Sequence, residues 1–372
     1  MTKDTVVSTA ALQEAVALGL RLGKTDQSTQ VHLASDAGGL RVVVSHLGNW
    51  YERKLVAQHS TQGKELDVSV PLRQFASVVA ALHGESTVVS LATGGRRLGL
   101  ESGAARFAVP VVDALFEAQP VACKADDLSP AWDKLTSGFA RVLHAVGHDE
   151  TRYTLCGVHL DRDGDKLALF ASDGHRLSLT RVPYPAGLSL PEGQSVIVSG
   201  DAARVLQACA QPEGRFAIDG SSIHYADETQ SLVVRLIDGQ SPDWRAVVPS
   251  DAIEQTVTTS AGSLIEAVEQ AKAIGATGLR IATSKESGTL TLSATNIDTG
   301  DLVVTYQAAI DGKKAEGKFA VNPFYLRDAC RAVPGDEVVL HLRSDLDPLV
   351  VLPAGEDVAS AKVVCLVMPM RL

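Results

Sequence analysis

A chain of 372 residues, 45% hydrophobic and 21% charged, carries enough apolar side chain for two or three packed domains and is not a disordered polymer. Its 44 acidic against 34 basic residues leave a formal charge of −10, which argues against gripping nucleic acid by bulk charge and leaves local basic patches for that purpose. The opening MTKDTVVSTA lacks the basic and apolar regions of a signal peptide, and no apolar run approaches the ~18–20 residues of a membrane helix. A cytoplasmic protein without membrane contact is expected.

The first element is a helix from Thr9 (TAALQEAVALGL), with a hydroxyl residue at the N-cap and apolar residues at helical spacing. Val31–Leu33 and Leu40–Val44 alternate around the turn ASDAGG and predict a hairpin. Residues 68–82 (VSVPLRQFASVVAAL) then run from strand into helix. The same three events recur: a helix from Ser129 (SPAWDKLTSGFARVLHAVG), a hairpin from Val158–Leu160 to Leu167–Phe170 around DRDGDK, and a strand-to-helix segment at 196–210. They recur once more as a helix from Thr259 (TSAGSLIEAVEQAKAI), a hairpin from Leu279–Ile281 to Leu290–Leu292 around ATSKESGT, and the segment 319–333. Val70, Val198 and Val321 hold equivalent places, 128 and 123 residues apart, close to a third of the chain. The pattern predicts an α+β protein of three repeated units, each with two helices and antiparallel sheets. Breaks near Gln119–Asp127 and Pro249–Gln255 divide it into domains 1–122, 123–252 and 253–372. No Gly-rich phosphate loop follows a strand, so a nucleotide-binding fold is not expected.

Ser172-Asp173-Gly174-His175-Arg176 holds a hydroxyl, a carboxylate and an imidazole in succession. Neighbours on an extended segment point to opposite faces, so these groups do not converge as a triad, and Asp-Gly is a common turn pair. Asp161-Arg162-Asp163-Gly164-Asp165 opens like a calcium loop, but its glycine comes two positions early and no Glu closes it; a solvated hairpin turn is the reading. His144 and His148 stand four apart without a third ligand and read as surface or turn residues; no metal site is expected. Cys123, Cys156, Cys209, Cys330 and Cys365 are scattered without a C-x-x-C pair and read as reduced, mostly buried thiols. The run Val363 to Leu372 stays apolar to its end, unlike an ordinary frayed terminus. Its first half should pair as a strand in the third unit, with Pro369 halting the pairing and leaving Met370 and Leu372 as part of an adaptable, Met-lined surface for partner peptides.

Taken in order, Leu155-Cys156-Gly157-Val158, Ala171-Ser172-Asp173-Gly174-His175-Arg176-Leu177, Pro242-Asp243-Trp244-Arg245, Val321-Asn322 with Tyr325 and Leu326, and the ending Val367-Met368-Pro369-Met370-Arg371-Leu372 resemble the bacterial DNA polymerase III beta subunit family, the sliding clamps. The match spans about 150 to 372. The first third is more divergent, with Val70-Pro71, Arg73-Gln74-Phe75 and Ser102–Phe107 familiar but Lys24–Thr29 replacing an Arg–Pro-rich stretch. Cys156 stands where Asn is usual, Thr154 where an aromatic is common, and Ala246 where a basic residue often stands.

The resemblance implies a clamp fold in which three similar domains make a half-ring and two chains close head to tail around duplex DNA. The implied function is a processivity factor without catalytic residues or cofactor, tethering the DNA polymerase III alpha subunit and docking the clamp loader and other clamp-binding proteins. A specialised second clamp of the same fold, and a hydrolase using His175 with Asp173, are the alternatives. The partner-peptide cleft would comprise Leu155, Ser172, Gly174, His175, Arg176, Leu177, Pro242, Val247, Asn322, Tyr325, Val367, Met368, Pro369, Met370, Arg371 and Leu372. DNA would be faced by Lys24, Arg73, Lys134, Arg141, Arg152, Tyr153, Arg204, Lys272, Arg327 and Arg331. The homodimer contact would set Arg97, Arg106 and Phe107 against Ile274, Asp298 and Asp301.

Overall fold

Helices begin where a short polar side chain can take up the first free N–H groups. The computed structural model, which describes residues 4–23, 29–59, 65–92, 94–113, 132–186, 188, 190, 193–209, 211, 213–249 and 253–371, contains seven α-helices among them. These are α1 (Thr9–Gly23), α2 (Leu72–Ala80), α3 (Trp132–Val142), α4 (Gly200–Ala208), α5 (Trp244–Val247), α6 (Ala261–Ala273) and α7 (Pro323–Ala332). Two caps fall beside the predicted ones. Ser8, not Thr9, accepts from the Ala11 N–H at 3.5 Å, while Thr9 is buried and bonds the Thr87 hydroxyl at 2.8 Å. Ser260, not Thr259, accepts from the Ser263 N–H. Ser129 lies outside the described residues. Asn322 caps α7 by accepting from Phe324, with Pro323 at the first turn where its missing N–H costs nothing.

The chain divides into two units. The first comprises 1–136, 185–189 and 201–236. A five-stranded antiparallel sheet runs in the order Ala57–His59, Thr5–Ser8, Ser86–Leu91, Arg97–Ser102 and Ala105–Pro110. A seven-stranded one runs Arg215–Ile218, Ser222–Ala226, Gln230–Arg235, Asn49–Leu55, Gly39–His46, Gln30–Asp36 and Asp67–Pro71. Leu12 and Val16 of α1 and Phe75 and Val79 of α2 enter one core with Val31, Leu33, Leu40 and Val42. Each such side chain contributes about 1.5–3 kcal/mol by leaving water.

The second unit comprises 137–184, 190–200 and 237–372. Its nine-stranded antiparallel sheet runs Ser195–Ser199, Gly157–Asp163, Lys166–Ser172, Arg176–Pro183, Val363–Val367, Leu349–Pro353, Glu337–Leu342, Gln255–Ser260 and Ala309–Gly312. A four-stranded sheet runs Gly300–Gln307, Thr289–Asn296, Leu279–Ser284 and Glu316–Val321. Leu264 and Val268 of α6 and Leu326 and Ala329 of α7 share a core with Ile281, Leu292 and Val321.

All three predicted hairpins form, and the strand-to-helix segments end in α2, α4 and α7. Both large sheets join segments of different thirds of the chain. Gln230–Arg235 pairs with Asn49–Leu55, and Val363–Val367 pairs with Arg176–Pro183. The fold is α+β with antiparallel sheets. Cys209, Cys330 and Cys365 are buried, and burial pushes their thiols up to about 12, 12 and 11; Cys156 is half-buried and Cys123 lies outside the described residues. Among the described residues no helix is long and apolar enough to cross a membrane.

Candidate functional site

The Ser172–Arg176 segment is a turn that consumes its own polar groups. Asp173 accepts from the backbone N–H of His175 at 2.8 Å and of Arg176 at 3.0 Å, and from Arg176 Nε at 3.0 Å. The Ser172 hydroxyl accepts from the Gly174 N–H and donates to the Arg176 carbonyl. Gly174 takes φ +89°, a left-handed conformation that strains other residues. With the Ser172 hydroxyl and the Asp173 carboxylate turned onto this backbone and His175 exposed, no triad geometry is present.

The tail lies beside this turn. Val363–Val367 pairs within the third repeat with Leu349–Pro353, as expected, and on its other side with Arg176–Thr180 of the second. Both of its ladders end at Val367, just before Pro369, but backbone contacts continue beyond them. The Met368 N–H donates to the His175 carbonyl at 2.9 Å, Pro369 bridges Val321, and the Met370 N–H donates to the Ala320 carbonyl at 2.7 Å. The flanking methionines supply the donors, so the N–H that proline lacks is never required. Met368, Met370 and Val247 remain exposed, whereas Leu177 and Val367 are core residues that can only support a cleft from beneath. Leu372 lies outside the described residues.

Arg176 is an internal strut. Its Nη1 meets Asp328 Oδ2 at 2.8 Å, its guanidinium lies 4.3 Å from the Tyr325 ring centre, and its side chain is only 13% exposed. Burial pushes the Asp328 carboxyl up, but hydrogen bonds from Arg327 and Arg176 outweigh it and hold the group below its usual value. His144, read as a surface or turn residue, sits in a 3-10 turn half-buried near this cluster; burial first and the Arg176 charge second push its pKa down to about 4.

The acidic hairpin is likewise not merely solvated. Asp161 is buried and accepts from Trp244 Nε1 at 3.0 Å and Arg245 Nη1 at 2.7 Å, while Asp163 accepts from Arg245 Nη2 at 2.8 Å. These carboxylates fix Trp244, and with it α5 and the exposed Val247, with half-buried Pro242 just ahead. Leu155 is half-buried and ends a 3-10 segment that also carries Arg152 and Tyr153. Arg152 pairs with Asp149 at 3.1 Å and lies against Gly174: a Cβ there would come within 2.7 Å of Nη1. A residue assigned to DNA thus borders a turn assigned to the partner cleft.

The remaining cations differ in their surroundings. Arg73 on α2 and Lys134 on α3 are exposed, Tyr153 is exposed, Arg141 is half-buried, and Arg204 pairs with Asp201 at 3.2 Å. Lys272, Arg327 and Arg331 converge on Glu269, and Arg327 also pairs with Asp328 at 2.8 Å. Lys24 lies outside the described residues. Sequence reasoning did not single out Asp328 or Glu269, and it read Asp161 and His144, which it did single out, as turn or surface residues. It also missed a cavity of about 500 Å³ beside the tail, where Met370 and Arg371 join Arg280, Ala282, Lys318 and Leu346.

The residues assigned to self-association lie on or beside two edge strands. Arg106 and Phe107 stand on Ala105–Pro110, the edge of the five-stranded sheet, with Arg97 on the strand beside it. Arg106 meets Glu101 at 3.4 Å and Phe107 packs on the core. Asp301 stands on Gly300–Gln307, the edge of the four-stranded sheet; Asp298 lies in the preceding turn, and Ile274 ends α6. Exposed Val303 and Ile297, the latter 98% accessible, extend this edge.

The overall fold recurs in solved structures. The DNA polymerase III beta subunit of Thermotoga maritima matches with a TM-score of 0.82 at 20% identity, covering 100% of both chains. The DNA polymerase sliding clamp of Bacillus subtilis matches at 0.81 and 18%, again over 100% of both. The architecture is therefore that of a sliding clamp. Among curated relatives, the beta sliding clamp of Synechococcus elongatus is 26% identical over 92% of this chain and 91% of its own, and that of Caulobacter vibrioides 27% over 82% of each. The family models for the DNA polymerase III beta subunit match its central domain at residues 131–243 and its C-terminal domain at 245–371. The chain belongs to the DNA polymerase III beta subunit family, the DNA sliding clamps of replication.

Proposed function

We propose that two copies of this chain close head to tail into a cytoplasmic ring around duplex DNA and act as a processivity factor without catalysis of their own. Three domains, 1–122, 123–252 and 253–372, would form each half-ring; the family matches at 131–243 and 245–371 support the last two. A topological link explains how an acidic protein handles DNA, since tight phosphate contacts would retard sliding. The cleft beside the tail would receive short motifs from the polymerase alpha subunit and the clamp loader, held by Met368, Met370, Val247 and His175. Methionines suit a groove that serves several ligands in turn.

The observation that carries the reading is a pair of strand edges that are open among the described residues. Ala105–Pro110 offers Arg106 and Phe107; Gly300–Gln307, with its preceding turn, offers Asp298, Asp301, Ile297 and Val303. An unpaired edge with apolar side chains invites pairing with another chain, and two different edges give a heterologous contact that a two-fold operation can close. Sedimentation at micromolar concentration should give a dimer. Arg106→Glu should weaken it and Asp298→Arg in the same chain should partly restore it. A monomer at every accessible concentration would contradict closure.

A further inference from the structure

Helices α6 and α7 pack side by side, and three basic side chains on them gather around one carboxylate. Lys272 Nζ lies 3.8 Å from Glu269 Oε2; Arg327 Nη1 and Arg331 Nη2 lie 3.6 and 3.7 Å from Oε1. Arg327 is also held by Asp328 at 2.8 Å and is largely covered. Lys272 and Arg331 are more than half exposed, and Glu269 is 43% exposed. Separations of this size are attractive but longer than hydrogen bonds, so the two open cations are gathered without being locked.

We propose that Glu269 is a charge brake on this helix pair, drawing Lys272 and Arg331 together and cancelling part of their charge, so that DNA passing the surface is attracted but not held. The proposal rests on the reading that α6 and α7 face DNA. A phosphate approaching the two cations meets the Glu269 carboxylate at the same point, which lowers the number of counterions released per contact and hence the affinity.

Glu269→Gln removes the charge and keeps the side chain's size. In the full-length protein, direct binding to a short linear duplex at about 50 mM salt should tighten about three- to tenfold, and the slope of log K against log salt should steepen by up to about 0.9. Loaded protein should diffuse more slowly along DNA. Lys272→Glu and Arg331→Glu should each weaken binding and flatten the slope. If the two reversals weaken binding while Glu269→Gln changes neither affinity nor slope, the brake is wrong and the DNA-facing reading stands. If the reversals change nothing either, the helix pair does not face DNA and the proposal falls with that reading. A melting temperature within about 2 °C of the unsubstituted protein establishes that binding and not folding has been measured.

Discussion

Helix α7 contributes to two ionic clusters built from the same residue types. Around Arg176, contacts to Asp173 and Asp328 are 3.0 and 2.8 Å, an aromatic ring covers the guanidinium, and all three ionic side chains are under a fifth exposed. Around Glu269, the distances are 3.6–3.8 Å and most of the groups face solvent. The first cluster ties the Asp173–Arg176 turn to α7 and fixes a shape. The second leaves cations free to meet a ligand. An arginine's role therefore follows from how its guanidinium is already satisfied, and sequence alone does not disclose that.

The sharpest way to break this contrast is to remove one charge from each cluster. Asp328→Ala removes one of the two carboxylates that hold the covered Arg176 and should cost about 1.5–3 kcal/mol in denaturant unfolding. Arg331→Ala should cost less than about 1 kcal/mol while reducing the salt dependence of DNA binding. Equal losses would mean the two clusters do not differ in kind. Deleting Met368–Leu372 removes the donors to His175 and Ala320; affinity for clamp-binding peptides should fall at least tenfold, about 1.4 kcal/mol, with the dimer intact. Retained peptide affinity would make the tail an ordinary core strand.

Acid provides a smaller and graded test. His144 titrates near 4 in the folded chain and near the ordinary 6.5 when unfolded, so its contribution is complete above pH 6.5 and is lost as pH falls toward 4. Buried His159, also held at about 4 by burial, adds to the same loss. Denaturation midpoints should therefore decline across this window, and His144→Gln should make the decline shallower. An unchanged decline would place His144 in solvent.

Repetition and hairpin chemistry made the three β-turn-β units and the strand-to-helix segments readable from sequence, because both depend on local pattern. The pairing of Val363–Val367 with Arg176–Thr180 was not readable, since it joins residues almost 190 positions apart and any apolar strand could occupy that place. The cleft residues were named through family resemblance, and the structure brings His175, Arg176, Tyr325, Met368 and Pro369 into one neighbourhood. What pattern could not show is burial. Arg176 reads as a rim cation and Asp161 as a turn acid until their partners, Asp328 and Trp244, are placed.

Retention on DNA tests ring closure most directly. After loader-dependent assembly on nicked circular DNA, the protein should remain bound in high salt and leave once the circle is linearised, because the link is topological and not ionic. Equal retention on circular and linear DNA, or loss from both in high salt, would contradict an encircling clamp.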